Sequence, residues 1–336
     1  MHATLPSIAA AILAFLLTAA AAPPPATAPD NSALASLVAT PARGELRVLV
    51  WNVQRGAKAF TDGPEKTLAV IRAVDPDVVL MQESYDIEGD RPTLGRWLAG
   101  ELGWTAWQGQ SPHLCVLTRL EVTETFFHEP WHALGARLVD GEGRSFVAYS
   151  IWIDYRAYTP YRLRDEPDVT DEELLACETT ESNRFPQATA IIEHLTAAGH
   201  TTAPLPLLVG GDWNCPSHLD WTEDAARIFH FRRALDLPVS RAMAAAGFAD
   251  AFRVVHPDPV LRPGITWSPL YRGTDEKPET ADRIDRLYVH GGERPRHLHP
   301  VAATVIPRRL EDASVAVADR VFPSDHGGVV VDFEWR

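Results

Sequence analysis

Apolar runs of strand length recur along this chain, each bounded by turn-forming residues. In order they read "LRVLVWNV", "DVVLMQES", "HLCVLTRL", "SFVAYSIWIDY", "PLLVGGDWN", "RIDRLYV", "VAATVIP" and "GVVVDFEW". Several are apolar on both faces, the pattern of strands in a sheet covered on two sides. Segments of helical spacing lie between them, among them "PEKTLAVIRAVDP", "NRFPQATAIIEHLTAA" and "PVSRAMAAAGF". The runs neither alternate strictly with helices nor form a pure meander. The pattern predicts two packed mixed sheets flanked by helices, an α/β sandwich in one domain.

The polar residues at the strand boundaries carry the chemistry. "VLVWNV" closes on Asn52, "VVLMQES" on Glu83, and "LLVGGDWN" on Asp212 and Asn214. "RIDRLYV" carries Asp285, and "FPSDHGG" brings Asp325 and His326 just before the last strand. Any one of these is ordinary turn chemistry, and Gly210, Gly211 and Pro216 are expected to form the turn that delivers Asp212. Together they point to metal-assisted phosphoester hydrolysis. Glu83, with an oxygen from Asn52 or Asp325, suits a hard cation, Mg²⁺ first and Mn²⁺ or Ca²⁺ as alternatives. Asp212 is placed to take a proton from the attacking water and Asn214 to donate to a phosphoryl oxygen. His326, held as a cation by a partner such as Asp285, is placed to stabilise the transition state or give a proton.

"WNV", "QES", "GGDWN", "RIDRLYV" and "SDH" occur in the order seen in the DNase-I-like endonuclease/exonuclease/phosphatase superfamily, which the chain resembles from Leu46 to its end. The resemblance implies a four-layer α/β/β/α sandwich with the active site at one end of the paired sheets. It implies that Asn52 serves the metal shell and the phosphate, Glu83 is the principal metal ligand and Asp212 activates water. It further implies that Asn214 contacts phosphate, Asp285 supports the histidine, Asp325 is metal-side or orienting, and His326 is the terminal catalytic histidine. One element departs from the pattern. Trp152 stands where the central strand of the superfamily usually offers a His, and an indole donates one N–H and carries no charge. Either Tyr155 or Arg156 takes that role, or the enzyme does without it.

Tyr155, Arg184, Trp213 and His218 are the candidates for substrate contact, against the plainer readings of core aromatics and a helix-capping or surface arginine. The sandwich is expected to span residues 44–336. Ahead of it, residues 1–22 carry a short apolar run and small residues suited to cleavage, which predicts an exported, secreted or periplasmic protein. Residues 23–43, rich in Ala and Pro, read as a flexible leader. No further segment reads as transmembrane. Cys115, Cys177 and Cys215 lack metal-site spacing and read as buried small hydrophobes with at most one bridge.

The formal net charge of −14 disfavours tight non-specific binding to nucleic acid and favours a small phosphate ester as the partner. The alternatives are a nuclease, a phosphate-binding module without turnover, and a metal-independent sugar hydrolase built on paired carboxylates.

Overall fold

Side-chain alternation along each strand sets the layering. The computed structural model describes residues 31–85, 92–291 and 297–336. Its strands are β1 (Leu46–Asn52), β2 (Val78–Gln82), β3 (Thr105–Trp107), β4 (Cys115–Thr118), β5 (Glu121–Glu129) and β6 (Ala133–Val139). They continue as β7 (Ser145–Trp152), β8 (Leu207–Asp212), β9 (Phe248–Asp250), β10 (Asp285–His290), β11 (Leu298–Ile306) and β12 (Gly328–Trp335). One sheet has the order β11-β12-β1-β2-β4-β3, the other β5-β6-β7-β8-β10-β9.

Val48, Val50, Leu80 and Val116 of the first sheet meet Leu134, Phe146, Ala148, Leu208 and Leu287 of the second in a shared core. The alternate residues Leu49, Trp51, Val79 and Met81 turn outward onto Val70, Ile71, Leu94 and Leu98 of the helices Gly63–Val74 and Leu94–Leu102. Across the molecule, Tyr149, Ile151 and Val209 turn outward onto Ile191, Leu195 and Met243 of the helices Arg184–Ala197 and Pro238–Ala245. Period-two burial in strands covered on both sides thus produces the expected four layers.

The topology also brings the polar tips together. β1 and β2 are parallel, as are β7 and β8, so Asn52, Glu83, Trp152 and Asp212 sit at strand C-terminal ends. β10 and β12 run the other way and begin at the same edge, with Asp285 paired to Asp212. Asp325 and His326 directly precede β12.

Two expectations need correction. Gly210 and Gly211 are not turn residues; they lie inside β8. A Cβ on Gly210 would stand 2.6 Å from Val50 Cγ2 across the sheet interface, and one on Gly211 would stand 1.9 Å from the Ile151 carbonyl oxygen. Close approach of neighbouring atoms, not chain reversal, demands glycine there. The packed unit also begins earlier than residue 44. Asn31–Leu37 is helical, and Leu34, Leu37 and Val38 are buried against the outer face of the first sheet. Arg47 then fastens the following residues by donating to Thr40 Oγ1 and the Pro41 carbonyl. The predicted signal segment, and the leader up to residue 30, fall outside the described residues. The three cysteines are buried and unbridged.

Candidate active site

Asn52 ends β1 fully buried and ties two sheets together. Its Nδ2 donates to Glu83 Oε1 and to Asp212 Oδ2, each at 3.1 Å. Both N–H groups are therefore committed to carboxylates, and the side chain acts here by positioning them. Glu83 follows β2 with a left-handed φ of 59°. Its second oxygen, Oε2, accepts from the backbone N–H of Arg55 at 2.9 Å. Gln54 completes this side of the site. Its Nε2 donates to Asp325 Oδ2 at 2.9 Å and to the Tyr271 hydroxyl at 3.2 Å.

On the other side, His326 Nδ1 lies 3.0 Å from Asp285 Oδ2, and its Nε2 lies 3.9 Å from Asp212 Oδ2. Burial opposes a charge on His326, but Asp285, Asp212 and Asp325 outweigh it and hold the ring well above its ordinary pKa. Burial likewise pushes Asp212 up, and the charge of Asp285 adds to that, against the pull of His326. The backbone aligns these groups. Thr266 Oγ1 accepts from the N–H of Asp285, and Ser324 Oγ accepts from the N–H of His326. Ser324 donates in turn to the Asn52 carbonyl at 2.7 Å. The Trp267 ring packs edge-on to His326 with centroids 4.9 Å apart.

The oxygen-rich half of the site fits a divalent cation. Asp325 Oδ1 and Gln54 Oε1 are buried and accept no hydrogen bond. Unpaired buried acceptors are costly, and a hard cation relieves that cost by coordination. Burial, with the charge of Glu83 beside it, raises the Asp325 carboxyl to about 6, so a bound cation would restore its ionised form. Asp212, Asp285 and His326 also offer ligand atoms within 4.8 Å of one another. Asp285, Asp212 and Asp325 favour the protonated ring, which competes with coordination by His326, whereas Asp325 Oδ1 and Gln54 Oε1 accept no hydrogen bond, so the Glu83–Asp325 side is the better cation site.

The model of the Endonuclease/Exonuclease/phosphatase family matches residues 49–326, from the fourth position of β1 to His326 itself. The chain belongs to the endonuclease/exonuclease/phosphatase family. It is 28% identical over 297 residues to an uncharacterized protein of Caenorhabditis elegans, covering 86% of this chain and 91% of that protein. Among solved structures, an endonuclease/exonuclease/phosphatase from Beutenbergia cavernae superposes with a TM-score of 0.52 at 19% identity, covering 87% of this chain and 72% of that one. The human nocturnin catalytic domain with bound sulfate gives 0.51 at 19% identity, covering 87% and 94%. At such identities the structural likeness is one of fold.

The residues expected to select substrate fare less uniformly in this family member. Asn214 is beside Asp212, which accepts from its backbone N–H at 2.9 Å. One Asn214 side-chain N–H goes to the Ile153 carbonyl at 2.8 Å, which leaves the other for a ligand. Tyr155 is 64% exposed, its ring 6.1 Å from that of Trp152. Trp152 itself is in register with Asp212, and its indole N–H is buried without a partner.

Three candidates do not reach the site. Trp213 is fully buried in the outer core, its indole donating to the Arg286 carbonyl. His218 turns its Nδ1 to Ser240 Oγ at 2.8 Å on the outer helix Pro238–Ala245. Arg184 is fully buried and donates to the carbonyls of Asp154, Arg156, Ala157 and Cys177. It clamps the loop after β7, so neither the surface reading nor the substrate reading holds. Sequence reasoning missed Gln54, Thr266 and Ser324. Gln54 carried a signal, two residues beyond Asn52, whereas Thr266 and Ser324 act through backbone groups that no spacing announces.

Proposed function

We propose that this protein is a divalent-metal-dependent phosphoesterase that hydrolyses a small phosphodiester or phosphomonoester by attack of water. One observation carries the reading. Glu83, Asp212, Asp285, and the adjacent pair Asp325 and His326, supplied by four strand ends, converge so that an oxygen-rich half faces the His326 ring. A divalent ion, held by Glu83 and Asp325 with Asn52 behind them, would polarise a phosphoryl oxygen and neutralise developing charge. Asp212, made more basic by burial, takes the proton of the attacking water. Asp285 orients His326, which faces the charge that builds on the phosphoryl group or gives its proton to the leaving oxygen. The remaining N–H of Asn214 donates to a non-bridging oxygen.

The net charge of −14 supports a small ester over a polynucleotide. The N-terminal apolar run supports export to the periplasm or medium, and among the described residues no helix is long and apolar enough to cross a membrane. Purified protein assayed against phosphomonoesters, phosphodiesters and single-stranded DNA, with Mg²⁺, Mn²⁺ or EDTA, tests the reading. Turnover of a small ester that EDTA abolishes is expected. Absence of turnover on every substrate would leave a phosphate-binding module, and turnover of DNA alone a nuclease. Mass determination of the mature protein recovered from its native host tests export: a chain beginning near residue 23 is expected.

A further inference from the structure

The turn that follows β1 is built at a conformational cost whose visible product is one exposed arginine. Gln54, Arg55, Gly56 and Ala57 have φ of 44°, 51°, 68° and 59°, four successive left-handed residues of which one is glycine. L-residues adopt this region reluctantly, and a run of them persists only where surrounding bonds fix it. Three of those bonds come from the site, and the fourth runs from the N–H of Ala57 to the Val53 carbonyl. Asn52 Oδ1 accepts from the N–H of Gln54 at 3.0 Å, Glu83 Oε2 from that of Arg55 at 2.9 Å, and the Glu83 carbonyl from that of Gly56 at 2.8 Å. The side chain this displays is exposed. Among the described residues, no carboxylate lies within ion-pair distance of its guanidinium. The backbone N–H of Arg55 stands 2.9 Å from Glu83 Oε2, which places the residue at the mouth of the site.

Charge balance explains what such a residue is for. The site gathers the carboxyl groups of Glu83, Asp212, Asp285 and Asp325 against the single imidazolium of His326. One divalent ion does not offset that excess, so an anionic ester still meets repulsion. Two arginines of the surrounding loops are already engaged. Arg156 is paired with Asp154 at 2.6 Å, and Arg272 donates to the carbonyls of Ser268, Pro269 and Tyr271. At the end of β7, in register with Asp212, the site presents the uncharged indole of Trp152.

We propose that Arg55 binds the phosphoryl group of the substrate, its guanidinium donating to non-bridging oxygens from the mouth of the site. This deepens the phosphoesterase reading and rests on it for the identity of the ligand, but its test does not require turnover. A planar guanidinium matches two phosphoryl oxygens at once, which a lysine cannot do.

Calorimetric titration of inorganic phosphate into the mature protein, with Mg²⁺ and again with EDTA, compares wild type with Arg55→Gly, Arg55→Asn and Arg55→Lys. Gly and Asn accept a left-handed φ better than Arg does, so these variants are expected to melt at or above the wild-type temperature. Phosphate binding is expected to weaken about tenfold or more in both, with partial recovery in the lysine variant. A merely structural residue would not give undiminished stability together with lost binding. Wild type that binds no phosphate, or glycine and asparagine variants that bind it within twofold of wild type, would overturn the proposal. Arg55-dependent phosphate binding without turnover of any ester would leave it standing and sink the phosphoesterase reading instead. Ester turnover with phosphate binding unchanged in the glycine variant would do the reverse.

Discussion

His326 Nδ1 stands 3.0 Å from Asp285 Oδ2, with both side chains buried. The carboxylate fixes which ring nitrogen faces it and favours the imidazolium, leaving Nε2 directed toward Asp212 and Asp325. Asp285→Asn keeps the shape and removes the charge. Turnover is expected to fall by about 10²–10⁴-fold. The His326 ring is expected to titrate at lower pH than in wild type, read from its carbon-bound proton shifts. An unchanged titration would mean that Asp212 and Asp325 suffice to hold the proton.

Glu83 and Asp325 form the half of the site suited to a cation, and binding there should register as stability. A ligand present at a hundred times its dissociation constant adds about 2.7 kcal/mol to the folded state. Mn²⁺ is therefore expected to raise the melting temperature of wild type, and EDTA to reverse the rise. Glu83→Gln keeps the side-chain shape and one of the two oxygens that accept from Asn52 and Arg55, but removes the charge, so most of the Mn²⁺ shift should vanish. Equal shifts in both proteins would place the cation elsewhere.

Most of the site was legible because its residues stand at the ends of strongly apolar strands. A polar residue after "VLVW" or "LLVGG" is out of place unless the strand end is presented to something. The strands β5 and β6 were not legible. β5 is an edge strand, largely exposed and rich in Glu and Thr, so it lacks the apolar run that marked the others. Trp213 and Arg184 misled for a related reason. Residue type says that an indole or a guanidinium can line a pocket, but not which face of a strand or helix carries it. Trp213 follows Asp212 directly and so points to the opposite face of the sheet, into the outer core.

Arg184 makes a prediction opposite to that of a substrate contact. Its guanidinium satisfies carbonyls of residues 154, 156, 157 and 177 in the interior. Arg184→Ala leaves those acceptors unpaired and opens a cavity, a loss on the order of 3 kcal/mol. Urea denaturation should show that loss, and lysine should not restore it because it lacks the fork. Residual activity at low temperature should retain its KM. A raised KM without loss of stability would return Arg184 to the substrate site.

His113 gives the pH dependence of stability. It is fully buried against Trp131 and Trp152, with Nδ1 3.2 Å from the Tyr85 hydroxyl. Burial, aided by His132, lowers its pKa to about 3 from the ordinary 6.5. The unfolded chain binds a proton below that ordinary value and the folded chain does not. The contribution is thus fully present above pH 6.5 and falls as pH drops toward 3, by about 1.4 kcal/mol per unit. Urea midpoints between pH 7 and 5 should fall less steeply in His113→Gln than in wild type. Parallel slopes would mean that the native site admits the proton.

Gly210 tests how closely the sheets approach beneath the site. A Cβ there would meet Val50 Cγ2 at 2.6 Å, Leu80 Cδ1 at 2.8 Å and Leu287 Cδ1 at 2.9 Å, all in the shared core. Each neighbour is the end of a side chain, so Gly210→Ala should fold, with overpacking that costs about 1–3 kcal/mol. Because β1 carries Asn52 two residues beyond Val50, pushing the sheets apart also lengthens the bond from Asn52 to Asp212. Activity should therefore fall by more than the folded fraction does. Val50→Ala, which opens space opposite Gly210, should recover part of both losses in the double variant. If the two substitutions were instead simply additive, the glycine would be required by the strand's own backbone and not by the facing sheet.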